Sequence, residues 1–296
     1  MTENEFLLTD RISKIKSMND LYDLENRSYI SFSGGKDSTV LHHLIDEALP
    51  GNNIPRVYIN TGIEYKFVVE FVKELAETDK RIIIIKPENN IQTILKTYGY
   101  PFKSKEHSLY LSVYQNSGNT KTVEKYLNRK DTRFACRDDL KYQFTPEFNL
   151  HISNKCCYKL KKDVISAWYK KNDRPITITG MRSGEGGLRA TLKGCSVFND
   201  KELVKFHPLQ PLDEGFITWY ISERNIKLCR LYYPPYSFKR TGCKGCPYST
   251  DLQEQLDMMA MYLPEEKKQC EFIWKPIYEE YRRIGYRLRK NPTLFD

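Results

Sequence analysis

Ser31-Phe32-Ser33-Gly34-Gly35-Lys36-Asp37-Ser38 decides how the first half of this chain folds. The run joins an extended stretch, 27–32, to a helical one, 39–48, whose Val40, Leu41, Leu44, Ile45 and Ala48 share one face. It is thus a glycine-rich turn between the carboxyl end of a strand and the start of a helix. The backbone N–H groups of such a turn converge on one point, and the helix dipole adds partial positive charge there. Gly34 and Gly35 let an anion approach the main chain. Lys36 adds a mobile point charge. The run reads as a cradle for a polyphosphate.

The same alternation continues outward. PRVYIN (55–60) reads as a strand, and 65–77 as a helix with Phe67, Val68, Phe71, Val72 and Leu75 on one face. RIIIIK (81–86) is a continuous apolar run, as in a strand covered on both sides, and 90–98 is a helix. Strand and helix in turn predict an α/β fold: an open, Rossmann-like parallel sheet with helices on both faces and right-handed crossovers. In such a sheet ligands sit beyond the carboxyl ends of the strands. The turn Asn60-Thr61-Gly62-Ile63-Glu64 is therefore expected beside the phosphate loop. A later strand, 174–179, ends in Gly180-Met181-Arg182.

The expected organisation is an N-terminal helix (1–26) and a nucleotide-binding α/β domain (27–212) with a basic, aromatic insertion at 99–150. A C-terminal region (213–296) carries a CxxC turn and helices packed on the same domain. Within it, Asp213 is placed to cap a helix bearing Phe216, Ile217, Tyr220 and Ile221. One long helix, 265–290, follows from the stripe Cys270, Ile273, Ile277, Tyr281, Ile284 and Leu288.

The 296 residues carry a net charge of +9, which favours an anionic partner, a nucleotide or a nucleic acid. The same excess of lysine also serves to solvate a surface. The start of the chain is acidic and lacks an apolar leader core. The longest aliphatic run, 82–85, is far too short to span a membrane. A cytoplasmic protein with no membrane partner is expected, and there disulfides are rare.

The eight cysteines then need another explanation. Cys156 and Cys157 are adjacent, and Cys243-x-x-Cys246 lies far downstream in a glycine turn ending at Pro247. A CxxC in such a turn points to a thiolate metal site. Neighbouring cysteines rarely reach one ion, and a cubane with separate iron corners accommodates them more easily. Structural zinc and unligated thiols are the alternatives. Of the remaining four, Cys195 follows the Arg182 loop and is a candidate sulfur carrier or a plain buried thiol. Cys270 falls on the apolar stripe, and Cys136 and Cys229 have no assigned role.

SGGKDS resembles the pyrophosphate loop of the adenine nucleotide α-hydrolase-like (PP-loop) enzymes. These include ATP pyrophosphatases, tRNA thiolation enzymes, the small subunit of ATP sulfurylase and the sulfonucleotide reductases. NTGIE is similar to the start of the NTGxExxET stretch of PAPS (3′-phosphoadenylylsulfate) reductase relatives, without its closing acidic and hydroxyl pair. The paired cysteines resemble the Cys-Cys…Cys-x-x-Cys motif of assimilatory APS (adenylylsulfate) reductases. Together the resemblance covers most of 28–250.

It implies that Ser33, Gly34, Gly35, Lys36, Asp37 and Ser38 hold the β,γ-phosphates of Mg-ATP. Lys36 faces phosphate, Asp37 orients the loop or binds Mg²⁺, and Ser38 caps the helix. Thr61, Gly62, Glu64, Gly180, Arg182 and Arg189 join the nucleotide site, since guanidinium forks match tetrahedral oxyanions. Cys156, Cys157, Cys243 and Cys246 are implied to hold a [4Fe–4S] cluster, with Lys155, Lys159 and Lys244 balancing its charge.

Two departures bear on the reaction. The Glu-Cys-Gly-Leu-His tail of the reductases is missing, and the loop is intact where reductases alter it, as in ATP-using members. DNA phosphorothioation enzymes also combine such a loop with a cluster. The leading expectation is an enzyme that cleaves ATP to AMP and pyrophosphate, adenylating an acceptor for sulfur transfer. Lys36, Asp37, Arg182 and Cys195 are its candidate catalytic residues. The alternatives are reduction of APS or PAPS to sulfite through Cys270, or a non-enzymatic nucleic-acid-binding or redox-sensing role. DNA or tRNA would then follow the basic 281–290 segment and the insertion. The sulfur donor, the acceptor and the oligomeric state, a homodimer included, are left open.

Overall fold

The computed structural model describes residues 1–130, 135–185 and 194–290. Helix α1 (Glu3–Tyr22) and the one-turn α2 (Leu24–Arg27) lead into β1 (Ser28–Phe32). Then follow α3 (Lys36–Ala48), β2 (Arg56–Ile59), α4 (Lys66–Thr78), β3 (Ile82–Ile85) and α5 (Ile91–Tyr98). Within the insertion lie α6 (Lys105–Ser117) and α7 (Lys121–Leu127). A wide π turn (Tyr158–Lys162) opens α8 (Asp163–Lys171), and β4 (Ile176–Ile178) comes next. Strands β5 (Ser196–Asn199) and β6 (Glu202–Phe206) precede α9 (Glu214–Glu223). The described chain closes with α10 (Leu252–Tyr262), α11 (Pro264–Ile273) and α12 (Lys275–Ile284).

The fold is α/β. Its sheet has the order β3-β2-β1-β4-β6-β5, parallel except for the edge strand β5. The chain runs outward through β2 and β3, then returns to the other side of β1 with β4. That reversal between β1 and β4 is where open sheets of this type leave a crevice. Successive residues of β1 face opposite ways. Ile30 joins the core formed with α1, α3 and α9, among Ile15, Leu41, Ile45 and Phe216. Tyr29 turns to the other face, edge-on to Trp168 and stacked with Tyr169 of α8.

The chain forms two compact units. The first comprises 1–60, 64–86 and 164–242, and the second 61–63, 87–163 and 243–296. These boundaries differ from the expected ones. Residues 213–242 stay with the sheet, and the insertion groups with the C-terminal helices. Aromatic packing accounts for that grouping: Phe102 meets Tyr281 edge-on at 4.7 Å and stacks on Tyr286. The backbone N–H of Lys103 also donates to the Tyr281 hydroxyl at 2.8 Å.

The single helix expected over 265–290 is broken. Its α11 part stops at Ile273, and α12 restarts with Pro276 in its first turn, where a missing N–H costs nothing. Gly285, at φ 65°, ends it in the left-handed conformation. Among the described residues, no helix is long and apolar enough to cross a membrane.

Candidate functional site

In the first unit, a cavity of about 370 Å³ opens at the carboxyl ends of β1 and β4. Ser31, Ser33, Gly35, Lys36, Asp37 and Ser38 line one side, and Thr179, Gly180 and Met181 another; Tyr232 and Lys239–Thr241 complete it. Gly34 takes φ 68°, a conformation that side chains resist. Gly35 is the N-cap of α3, and a β-carbon there would lie 2.9 Å from Thr241 Oγ1. Glycine is required because the loop is crowded as well as turned.

Ser38 acts differently from a helix cap. Its hydroxyl donates to the Gly35 carbonyl at 2.9 Å and accepts from the Ser33 N–H at 3.2 Å, closing the loop on itself. The Lys36 backbone N–H donates to the Tyr232 hydroxyl at 2.9 Å, and Tyr232 also bonds Thr241 Oγ1 at 3.0 Å. Burial pushes the Tyr232 phenol above its ordinary value, so it stays protonated.

The charged groups of the loop are linked in series. Arg182 Nε bonds Asp37 Oδ1 at 3.1 Å, and Arg182 Nη2 bonds Glu214 Oε2 at 2.6 Å. Lys36 Nζ pairs with the other Glu214 oxygen. Partial burial opposes ionisation of Glu214, but the bonds from Lys36 and Arg182 prevail and hold its carboxyl below the usual range. Arg182 is buried against these carboxylates rather than lining the cavity. Thr179, Glu214, Tyr232, Lys239, Arg240 and Thr241 were not singled out for this site from the sequence. The basic pair 239–240, just ahead of the CxxC turn, is the one local feature of the sequence that suits an anion site.

Thr61 and Gly62 fall in the second unit and Glu64 in the first; Thr61 and Glu64 are buried. None of the three lines this cavity among the described residues. Cys195, the candidate sulfur carrier, directly precedes β5 and packs against the apolar core, its Sγ 3.8 Å from Ser196 Oγ. It does not line the cavity either. Arg189 lies outside the described residues.

The second unit brings Cys156, Cys157, Cys243 and Cys246 together, close enough for the other three sulfurs to oppose ionisation of Cys156, and for Cys243 and Cys157 to oppose that of Cys246. Burial first, then the other three sulfurs, pushes the Cys156 thiol far up. Cys246 is pushed up to about 12 by burial and by Cys243. The cation that acts on both is Lys161. Of the lysines expected to balance this charge, Lys159 pairs with Asp163 at 2.8 Å, and Lys244 with Gln269 at 2.6 Å and Glu266 at 3.6 Å.

Four gathered thiols are a donor set that suits either a tetrahedral zinc ion or a [4Fe–4S] cluster. A tetrahedral Zn–S bond of about 2.3 Å sets the sulfurs roughly 3.8 Å apart. Among the described residues, three ligand atoms also come within 4.8 Å of one another at His42, Asp46 and Asp79.

Helix α12 and its entry hold the CxxC turn by its carbonyls. Trp274 Nε1 donates to Lys244 O at 3.3 Å, the Tyr278 hydroxyl to Gly245 O at 2.5 Å, and the Tyr281 hydroxyl to Pro247 O at 2.9 Å. Spacings of four and three place these donors on one helical face. The Lys244 N–H donates to Ile63 O at 2.9 Å, tying in the 61–63 turn. Cys270 is fully buried against this turn, and burial pushes its thiol up to about 12. It is unsuited to act as the nucleophile of the reductase alternative.

The basic 281–290 segment is largely neutralised within its own unit. Arg282 pairs with Glu271 at 2.6 Å, Arg283 with Glu280 at 2.7 Å and Arg289 with Asp257 at 3.0 Å.

The sequence profile of the phosphoadenosine phosphosulfate reductase domain matches residues 27–136 and 120–249. An uncharacterized protein of Methanocaldococcus jannaschii is 34% identical over 104 residues, which is 32% of this chain and 25% of that protein's length. A phosphoadenylyl-sulfate reductase from Candida auris superposes with a TM-score of 0.44 at 16% identity, over 73% of this chain and 81% of that one. A U34-tRNA thiolase from Methanococcus maripaludis, solved with its [4Fe–4S] cluster, gives a TM-score of 0.39 at 14% identity, over 95% and 80%. The profile spans both the phosphate loop and all four clustered cysteines, and the chain belongs to the phosphoadenosine phosphosulfate reductase domain family.

Proposed function

We propose that this family member is an ATP-using enzyme that cleaves between the α- and β-phosphates, releasing pyrophosphate and leaving AMP on an acceptor destined for sulfur. The observation that carries this reading is the intact Ser33–Ser38 loop. It is closed on itself by Ser38 and borders a cavity with Lys36, Lys239 and Arg240 at its edge. A sulfonucleotide has no β,γ-pyrophosphate for such a loop to hold.

In this reading the loop amides, Lys36 and Arg240 bind the β,γ-phosphates. They neutralise the charge that builds on the leaving pyrophosphate. Asp37 and Glu214 are the carboxylates at hand for Mg²⁺. The Tyr232 hydroxyl fixes the first turn of α3, so the donors are set before the ligand arrives. Cys156, Cys157, Cys243 and Cys246 would hold the [4Fe–4S] cluster, which when bound supplies a structural or sulfur-handling centre. The sulfur acceptor is proposed to be a nucleic acid or a small molecule, with the chain's positive charge favouring an anion.

The test is incubation of anaerobically purified protein with Mg-ATP and candidate acceptors. AMP and pyrophosphate are expected in equal amounts, and their absence with every acceptor would sink the reading. The family match keeps reduction of adenylylsulfate as the second reading. Sulfite release with a thiol reductant, without ATP consumption, would establish it instead.

A further inference from the structure

Two cations beside the phosphate loop, Lys36 and Arg182, are already engaged. Glu214 gives one carboxylate oxygen to Lys36 Nζ and the other to Arg182 Nη2, and Arg182 also holds Asp37. Among the described residues these contacts link two positive and two negative side chains, a series that is formally neutral. A polyphosphate gains little from Lys36 or Arg182 while that carboxylate stays in place.

Exposure shows which member can leave. The Arg182 side chain is 8% exposed and that of Lys36 17%, whereas Glu214 is 59% exposed. The Glu214 backbone is fixed at the first residue of α9, after the Asp213 cap, and its carbonyl accepts from Thr218 Oγ1 at 2.9 Å. Only the side chain has to swing. Moving it costs two charge-assisted contacts and little of its own burial.

We propose that Glu214 is a resident counter-anion of the phosphate site and makes that site selective for metal-loaded polyphosphate. The proposal rests on reading the Ser33–Ser38 loop as a polyphosphate cradle. A bare polyphosphate that displaces Glu214 leaves a carboxylate unpaired beside its own negative charge. A ligand carrying Mg²⁺ brings a hard cation that takes the released carboxylate oxygen, so displacement is compensated only when metal arrives too. The neighbouring Asp37, still on Arg182, adds a second oxygen donor on the same side.

The experiment is calorimetric titration of inorganic pyrophosphate, with and without Mg²⁺, into the full chain and into Glu214→Gln and Glu214→Ala. Both variants should bind metal-free pyrophosphate roughly tenfold tighter than the native protein. Both should lose most of the affinity that Mg²⁺ adds to the native protein. A gain of affinity cannot come from misfolding, so the variants remain informative. Equal metal-free affinity in all three proteins, with binding intact, would overturn this proposal and leave the cradle reading standing. If the native protein binds neither pyrophosphate nor Mg-ATP, the cradle reading falls and this proposal falls with it.

Discussion

Gly180 stands so close to the phosphate loop that a β-carbon on it would lie 2.8 Å from the Asp37 carbonyl oxygen and 3.0 Å from its carbonyl carbon. Both atoms belong to the main chain of the first turn of α3 and cannot yield without moving the loop. The glycine after β4 is there to let that turn approach the strand end. Gly180→Ala is expected to destabilise the first unit by about 1–3 kcal/mol, the usual cost of overpacking. It should weaken pyrophosphate and ATP binding by at least roughly tenfold. Urea unfolding and equilibrium titration measure the two effects. Native binding in a folded variant would show that the loop tolerates the displacement.

A similar contact shapes the thiol site. Gly245 takes φ 58°, and a β-carbon there would sit 2.8 Å from Cys270 Sγ and run into the Tyr278 hydroxyl. Gly245→Ala should therefore shift the CxxC turn and lower the cluster content of the purified protein. Tyr278→Phe removes one of three carbonyl clamps and should cost only about 1 kcal/mol. Anaerobically purified native protein is expected to contain iron and acid-labile sulfide. Gly245→Ala should contain much less of both, and Cys156→Ser nearly none. Zinc in place of iron in the native protein would overturn the cubane assignment.

What the sequence disclosed follows from how local each signal was. The strand–turn–helix around Ser33–Ser38 and the apolar stripe of α4 are local patterns, and the structure has them within three residues of the expected positions. The hairpin β5–β6 went unread because its turn, Asp200-Lys201, takes φ 46° and φ 72° without a glycine to mark it. The break between α11 and α12 was hidden because an apolar stripe at spacings of three and four runs straight through it. Glu214, Tyr232 and Lys239–Thr241 reach the phosphate site from distant parts of the chain. No spacing rule connects them to the loop. The cysteines showed because metal-ligand spacing is itself a sequence pattern, whereas their nearby cation, Lys161, is one lysine among many.

Arg56 on β2 is fully buried, and it is the charged group most exposed to the loss of a partner. Its Nη2 pairs with Asp46 Oδ1 at 2.6 Å, and its Nε donates to His42 Nδ1 at 3.1 Å. Asp46 is shared with Arg81, at 2.7 and 2.9 Å. With two guanidinium groups already on these carboxylates, the His42–Asp46–Asp79 grouping reads as an ion-pair network rather than a metal site. Asp46→Asn would leave Arg56 buried without its anion, and a loss of about 3–5 kcal/mol is expected. Arg56→Met removes the charge as well and should cost clearly less. Chemical denaturation of both variants checks the order, and the reverse ranking would refute it.

Three buried histidines set the acid response. His42 and His207 in the first unit and His107 in the second each have their proton affinity lowered to about 4, chiefly by burial. Arg56 adds to the effect at His42 and Lys205 at His207. His107 lies between the Tyr126 hydroxyl, 2.8 Å away, and Gln143 Oε1, 2.7 Å away. His207 Nδ1 bonds Thr179 Oγ1 at 2.7 Å, while its Nε2 has no hydrogen-bond partner among the described residues. A folded-state value below the ordinary 6.5 means that the unfolded chain takes up a proton the folded chain refuses. The stabilisation is therefore complete above pH 6.5 and is lost as pH falls toward 4. The slope is at most about 1.4 kcal/mol per pH unit for each histidine. Urea midpoints measured between about pH 7 and about pH 4.5 should fall steadily. His107→Gln, which keeps a polar group between Tyr126 and Gln143 but cannot titrate, should flatten that fall by about one histidine's share. An unchanged slope in the variant would show that His107 is not among the groups refusing a proton.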